Sequence, residues 1–249
     1  MGQTDMFKLV QHLIVQDDGK LPLIPECLYA YIMAGNGIFL YAKRDDLEVL
    51  IPVSRATIAG LPPLEPFVDI PRVPVILMNH VLQASKENLP NEMLFWFNFD
   101  HHRQVWNLDA PLQICRPASV LPVDKNDPLG IQALIDLHSH ALLDPFFSPA
   151  DNKDEQGFRI FTVIGRVNEK PLILVRVGVY GNYWNIPAEM AFELPEEIRD
   201  AYYGKGDVDY DETNIEEETL SQEQNIPIPE EEVIEPDFLL FLDESTRAQ

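Results

Sequence analysis

Basic residues are scarce in this chain. It has 18 Lys and Arg against 41 Asp and Glu, a formal net charge of -23 over 249 residues. Such a balance repels phosphate backbones and argues against nucleic-acid binding. The deficit is uneven: Lys205 to Gln249 holds 15 acidic and 2 basic residues, net -13, which leaves -10 for the first 204. Long apolar runs are also missing, and none approaches the roughly 18–20 residues of a membrane span. Two cysteines, Cys27 and Cys115, form neither a disulfide pattern nor a metal spacing, as expected in a reducing compartment. "MGQTDMFK" carries Gly2 but has Met6 where a myristoylation signal wants Ser or Thr, and it lacks a signal-peptide stretch. The expected localisation is cytoplasmic, with no membrane partner.

What is present can build a core, since 46% of the residues are hydrophobic. Residues 1–70 read as a β-rich N-terminal region. "YAYIMAGNGIFLYAKR" (29–44) is two apolar runs around Asn36-Gly37, a tight-hairpin signal, and "LEVLIPV" offers a third strand. The proline-dense "AGLPPLEPFVDIPRVP" reads as a connector. Beyond it, Val75, Met78, Leu82 and Ser85 fall on one face at helical spacing, and Pro90 marks the end. "EMLFWFNF" and "RQVWNL" flank the polar "DHHR" as a hairpin. "IQALIDLHSH" (131–140) reads as a strand that meets solvent at its end, and "FRIFTVIGRV" and "KPLILVRVGVY" as two more strands. The main domain is expected over 71–203. Residues 204–249 form an acidic tail expected to be mostly disordered, interrupted by "FLLFL" (238–242), which suggests a short docking segment.

The chemistry concentrates in "LHSHALLDPFFSPAD" (137–151). One account is purely structural: Ser148, Pro149 and Asp151 make a capping box at a helix start. The other is a metal site. Residues i and i+2 of a strand share a face, so His138 and His140 can converge on one ion. Neutral imidazole suits zinc, and the ten residues after His140 can fold back to present Asp151 from the next helix. Three protein ligands with an open fourth position is the pattern of catalytic rather than structural zinc. Water on such an ion needs a general base outside the ligand set. Glu92, at a helix-to-strand junction, is the candidate; a solvated loop acid is the plainer alternative.

The pattern Glu…His-Ser-His-x7-Ser-x2-Asp resembles the signature of the JAMM (JAB/MPN+) metalloproteases. Its elements here are Glu92, His138, Ser139, His140, Ser148 and Asp151, over about residues 73–190. The resemblance implies zinc on His138, His140 and Asp151, with Glu92 as general acid/base through a zinc-bound water. It implies that Ser148 helps hold the oxyanion, while Ser139 orients the strand. It also implies an α/β fold: a JAB/MPN-like (cytidine-deaminase-like) mixed β-sheet flanked by helices. Length and the added N-terminal region are similar to the JAB-domain proteins of bacterial PRTRC gene systems. The implied activity is a metallo-isopeptidase or peptidase cutting an amide or isopeptide bond at the C-terminus of a ubiquitin-like modifier. The implied partners are that modifier or its conjugates, and E1-like and E2-like proteins. A non-catalytic MPN-like scaffold and a small-amide hydrolase remain alternatives.

Other residues carry less. His101-His102 sit in a turn, and His80 and His12 have no companion ligands nearby in sequence. Trp96, Trp106 and Trp184 read as core or groove lining, and nothing around Cys115 marks a nucleophile.

Overall fold

In a computed structural model, residues 8–202 and 232–234 are described. Among the described residues the fold is mixed α/β but strand-rich, with three sheets and little helix.

The first sheet contains β1 (Val10–Ile14), β2 (Tyr29–Ala34), β3 (Gly37–Arg44), β4 (Leu47–Arg55) and β5 (Phe67–Asp69), in that spatial order. β1 runs parallel to β2, and the other neighbours are antiparallel. The β2–β3 hairpin forms where expected, but its register is one residue off the expected turn. Ala34 pairs with Gly37, so Gly35 and Asn36 make the turn. A Cβ on Gly35 would lie 2.2 Å from the Leu61 carbonyl oxygen, so close approach of the connector selects that glycine. The proline-dense connector also contributes β5 instead of staying irregular throughout.

Next comes α1 (Val75–Glu87), entered through Pro74 and capped by Asn88. Its buried face is Leu77, Met78, Val81, Leu82 and Ser85. Val75, expected on that face, is 39% exposed because it opens the helix before the sheet covers it. The remaining elements are β6 (Leu94–Asp100), β7 (Val105–Asp109), β8 (Gln113–Arg116), β9 (Ser119–Pro122), α2 (Pro128–Gln132), β10 (Ile135–Ser139), α3 (Pro149–Asp154), β11 (Phe158–Gly165), β12 (Leu172–Val179), β13 (Asn182–Ile186), β14 (Arg199–Asp200) and β15 (Glu232–Ile234). The strand expected from Ile131 therefore starts only at Ile135. Asp127 caps α2, accepting from the Leu129 amide at 2.9 Å, and Pro128 opens it, so Ile131 and Gln132 finish a helical turn.

The central sheet has the order β13-β12-β11-β10-β6-β7, with β14 beside β12. β10 and β11 are parallel, joined by a crossover that includes α3. Strand alternation gives this sheet two unlike faces. Phe95, Phe97, Ile135, Leu137, Ile160, Val175 and Val177 enter the main core with Met78 and Leu82 of α1 and with Leu40, Val49 and Ile51 of the first sheet. On the opposite face the register aligns Leu94 with His138, Trp96 with Asp136, and Phe161 with both Asp136 and Arg176. That second face carries the candidate site residue His138. β15, from the tail, pairs antiparallel with β8, which pairs with β9 on its other side. The rest of the tail, "FLLFL" included, lies outside the described residues. Among these, no helix is long and apolar enough to cross a membrane.

Candidate metal centre

Alternation at the end of β10 delivers His138 and, one residue past the strand, His140, and the segment is locked from both sides. Ser139 is fully buried, and its hydroxyl accepts from the Met93 amide at 2.9 Å. The Ser139 amide donates back to the Met93 carbonyl at 2.8 Å, and the His140 amide donates to the Ile164 carbonyl at 2.8 Å. The strand end does not meet solvent as expected: His138 is 8% and His140 5% exposed. The chain then turns sharply through Ala141 at φ 45°, a left-handed conformation uncommon for alanine.

The two imidazoles meet with Nε2 atoms 3.2 Å apart. Nδ1 of His140 lies 3.1 Å from the Asp144 carbonyl oxygen. That partner holds the ring proton on Nδ1 and leaves the Nε2 lone pair free. Asp151 approaches from α3, with Oδ1 3.8 Å from His138 Nε2. Its other oxygen, Oδ2, accepts from the Ser148 amide at 2.6 Å, while Ser148 Oγ accepts from the Asp151 amide at 3.1 Å. The capping box and the candidate ligand set are therefore compatible on the same residues, one carboxylate oxygen for each.

One donor atom from each of His138, His140 and Asp151 lies within 4.8 Å of the others. Tetrahedral zinc with bonds of about 2.0–2.1 Å would separate two nitrogens by about 3.3 Å, so the imidazole pair fits that ion closely. A hydrogen bond between neutral rings accounts for the 3.2 Å equally well. It does not account for the carboxylate set beside them. Burial lowers the pKa of His138 to about 4, helped by His140 and Arg176 against the pull of Asp151. Burial also lowers His140, against the Asp144 carbonyl and Asp151. Both rings are thus neutral near pH 7, the form that ligates metal.

Glu92 is 5% exposed rather than a solvated loop acid. Its amide donates to the Arg116 carbonyl at 2.9 Å, and Asn88 Nδ2 donates to its carbonyl at 3.2 Å. Burial pushes its carboxyl up to about 8, with a smaller push from the Asp151 charge. A carboxyl tuned to that range can both take and give a proton near neutrality.

Several residues around the centre did not stand out in the sequence. Arg176 is 4% exposed, sandwiched between Phe147 (3.8 Å) and Tyr183 (3.9 Å). It donates to Asn152 Oδ1 at 2.6 Å and ion-pairs with Glu155, while the Tyr183 hydroxyl donates to the Glu155 carbonyl at 2.8 Å. Burial raises the Glu155 carboxyl, and Arg176 pulls it back. Together these contacts seat α3, and so Asp151. The available signal was one arginine inside the apolar run "LILVRVGV". Asp136 shares the i, i+2 row of the histidines and lies 3.9 Å from Arg159, its carboxyl pushed up to about 6 by burial.

The remaining candidates stay apart. His101 Nδ1 meets Asp46 Oδ1 at 2.8 Å in exposed turns, and His12 lies against Tyr31. His80 sits on α1. Trp96 packs on Gly130, where a Cβ would come within 2.5 Å of the ring, and Trp106 Nε1 donates to the Arg72 carbonyl at 3.0 Å. Trp184 packs half-buried against the main core. Cys115 is buried, and its thiol lies 3.6 Å from Gln113 Oε1, while Cys27 is half-buried.

No family model matches the chain, and no curated protein matches it. Among solved structures it is similar to the solution structure of protein DSY2949 from Desulfitobacterium hafniense. That match has 14% identity and a TM-score of 0.32, over 51% of this chain and 94% of the other. So slight a likeness transfers neither fold nor function.

Proposed function

We propose that this chain is a zinc-dependent metallo-isopeptidase or peptidase of the JAMM type, acting in the cytoplasm on an amide at the C-terminus of a ubiquitin-like modifier. The observation that carries the reading is the convergence of His138, His140 and Asp151 within 4.8 Å, with the Glu92 carboxyl raised by burial and, to a lesser extent, by the Asp151 charge. Bound zinc would supply Lewis acidity and lower the pKa of water to about 7.

The protein's own groups supply the rest. Glu92 removes a proton from the attacking water and returns it to the departing amine nitrogen, so the amide C–N bond breaks as the carbonyl carbon gains the oxygen. The Ser148 oxygen already accepts from the Asp151 amide, which leaves its hydroxyl proton for the substrate oxygen as charge develops there. Asp144 fixes the His140 tautomer through its carbonyl. A ubiquitin-like substrate, with E1-like and E2-like partners, belongs to the same proposal and rests on the motif's resemblance.

The test pairs metal content with turnover. Protein purified without added metal should hold about one zinc per chain. Glu92→Gln should keep that metal yet cleave a ubiquitin-like precursor with a C-terminal extension at least about 10²-fold more slowly. A stoichiometry near zero would return the chain to the scaffold class, and undiminished turnover in Glu92→Gln would remove the mechanism.

A further inference from the structure

We infer that the outer edge of β8 is a strand-addition dock beside the candidate centre, and that the chain's own tail segment Glu232–Ile234 is its occupant in cis. An open strand edge leaves N–H and C=O groups ready to pair with any extended peptide. β9 takes one edge of β8. The other receives β15, antiparallel, with Glu232 opposite Cys115, Val233 opposite Ile114 and Ile234 opposite Gln113.

The sequence around β15 is built for so short an insertion. "PEEEVIEPD" (229–237) places two strand-forming residues, Val233 and Ile234, between Pro229 and Pro236. Prolines lack the amide donor a ladder needs.

The position of the dock gives it a consequence. The Arg116 carbonyl at the end of β8 accepts the Glu92 amide, and the Gln113 side chain accepts from the Leu94 amide at 2.7 Å and donates to the Leu94 carbonyl at 3.1 Å. The strand that receives the tail therefore also frames the segment carrying Glu92. An extended substrate reaching this edge competes with residues 232–234, so the tail restrains access until displaced. That regulatory step rests on the hydrolase reading above; the docking does not.

The full-length chain with Val233→Pro and Ile234→Pro tests both parts. Hydrogen exchange at the β8 amides should rise about tenfold or more in this variant. A labelled peptide of residues 229–237 should bind the variant at least about tenfold more tightly than the intact chain, whose dock is filled. Unchanged exchange, or a peptide that binds neither protein, overturns the dock. Protection that grows with protein concentration assigns the occupant to a second copy and overturns the cis arrangement. Cleavage of the extended precursor should also rise in the variant. If both proteins cleave at equal rates while exchange and peptide binding change as expected, the dock stands and the restraint falls. If neither protein cleaves, the hydrolase reading fails, and exchange still decides the dock.

Discussion

Ser139 stands between the two histidines and illustrates how much depends on a residue that binds no metal. Its hydroxyl is the acceptor for the buried Met93 amide, one residue after Glu92. Ser139→Ala would strand that amide without a partner, which costs about 1–3 kcal/mol. Urea denaturation of the variant should show a loss in that range, with no loss expected at an exposed serine such as Ser54. The convergence of the candidate residues was legible in the sequence because the rules that place them are local. Alternation puts His138 of β10 and His140 just past its end on one side, and a capping box places Asp151 at the start of α3. Arg176 and Glu155 were not legible, because their pairing joins β12 to the end of α3. Their only local trace is a charge where apolar residues surround it.

At the scale of elements, strands were legible where both faces or both flanks agreed, and boundaries slipped where tertiary contacts overrode local signals. The β2–β3 turn moved by one residue because Leu61 packs against Gly35, and the first residues of the expected Ile131 strand went to α2. The β3–β4 hairpin offers a pH test well away from the candidate centre. Tyr41 donates to Glu48 Oε1 at 2.9 Å and Lys43 to Oε2 at 2.5 Å. Burial alone would raise Glu48, but the bonds from Lys43 and Tyr41 outweigh it and hold the carboxyl below its ordinary value. A lowered folded pKa stabilises above the unfolded value of about 4.3, and the gain is lost as pH falls through the folded value. Wild type should therefore exceed Glu48→Gln in stability near pH 7 by at most about 1 kcal/mol, since the pair is partly exposed. The two urea midpoints should converge below about pH 4. A gap that persists unchanged into acid would show that the carboxylate charge contributes nothing there.

On the scale of the whole molecule, the first sheet and the central sheet share one core, and Arg44 ties them together at its edge. Arg44, at the end of β3, donates to the Gln132 carbonyl at 2.8 Å, the Phe158 carbonyl at 3.1 Å and the Ala133 carbonyl at 3.3 Å. Arg159 donates to the Gly130 and Ile131 carbonyls at 2.8 and 3.2 Å. The two guanidiniums thus satisfy the carbonyls left open at the C-terminus of α2, and complement its dipole. They line a cavity of about 460 Å³ with Cys27, Lys43 and Tyr180. Composition could not reveal this seam, because a β-rich opening followed by a connector reads equally well as a separate unit. Leu40, Val49 and Ile51 in the main core argue that the two sheets unfold together. Arg44→Met keeps the apolar stem but removes three hydrogen bonds, two to carbonyls that lead into β10 and one to the first residue of β11. It should lower stability by about 2 kcal/mol, discounted for partial exposure, while leaving a single transition. Calorimetry and far-UV circular dichroism should give coincident melts for wild type and variant alike. Two separated melts in either protein would mean the shared core does not couple the sheets, and that the histidine-bearing strand is held by its own sheet alone.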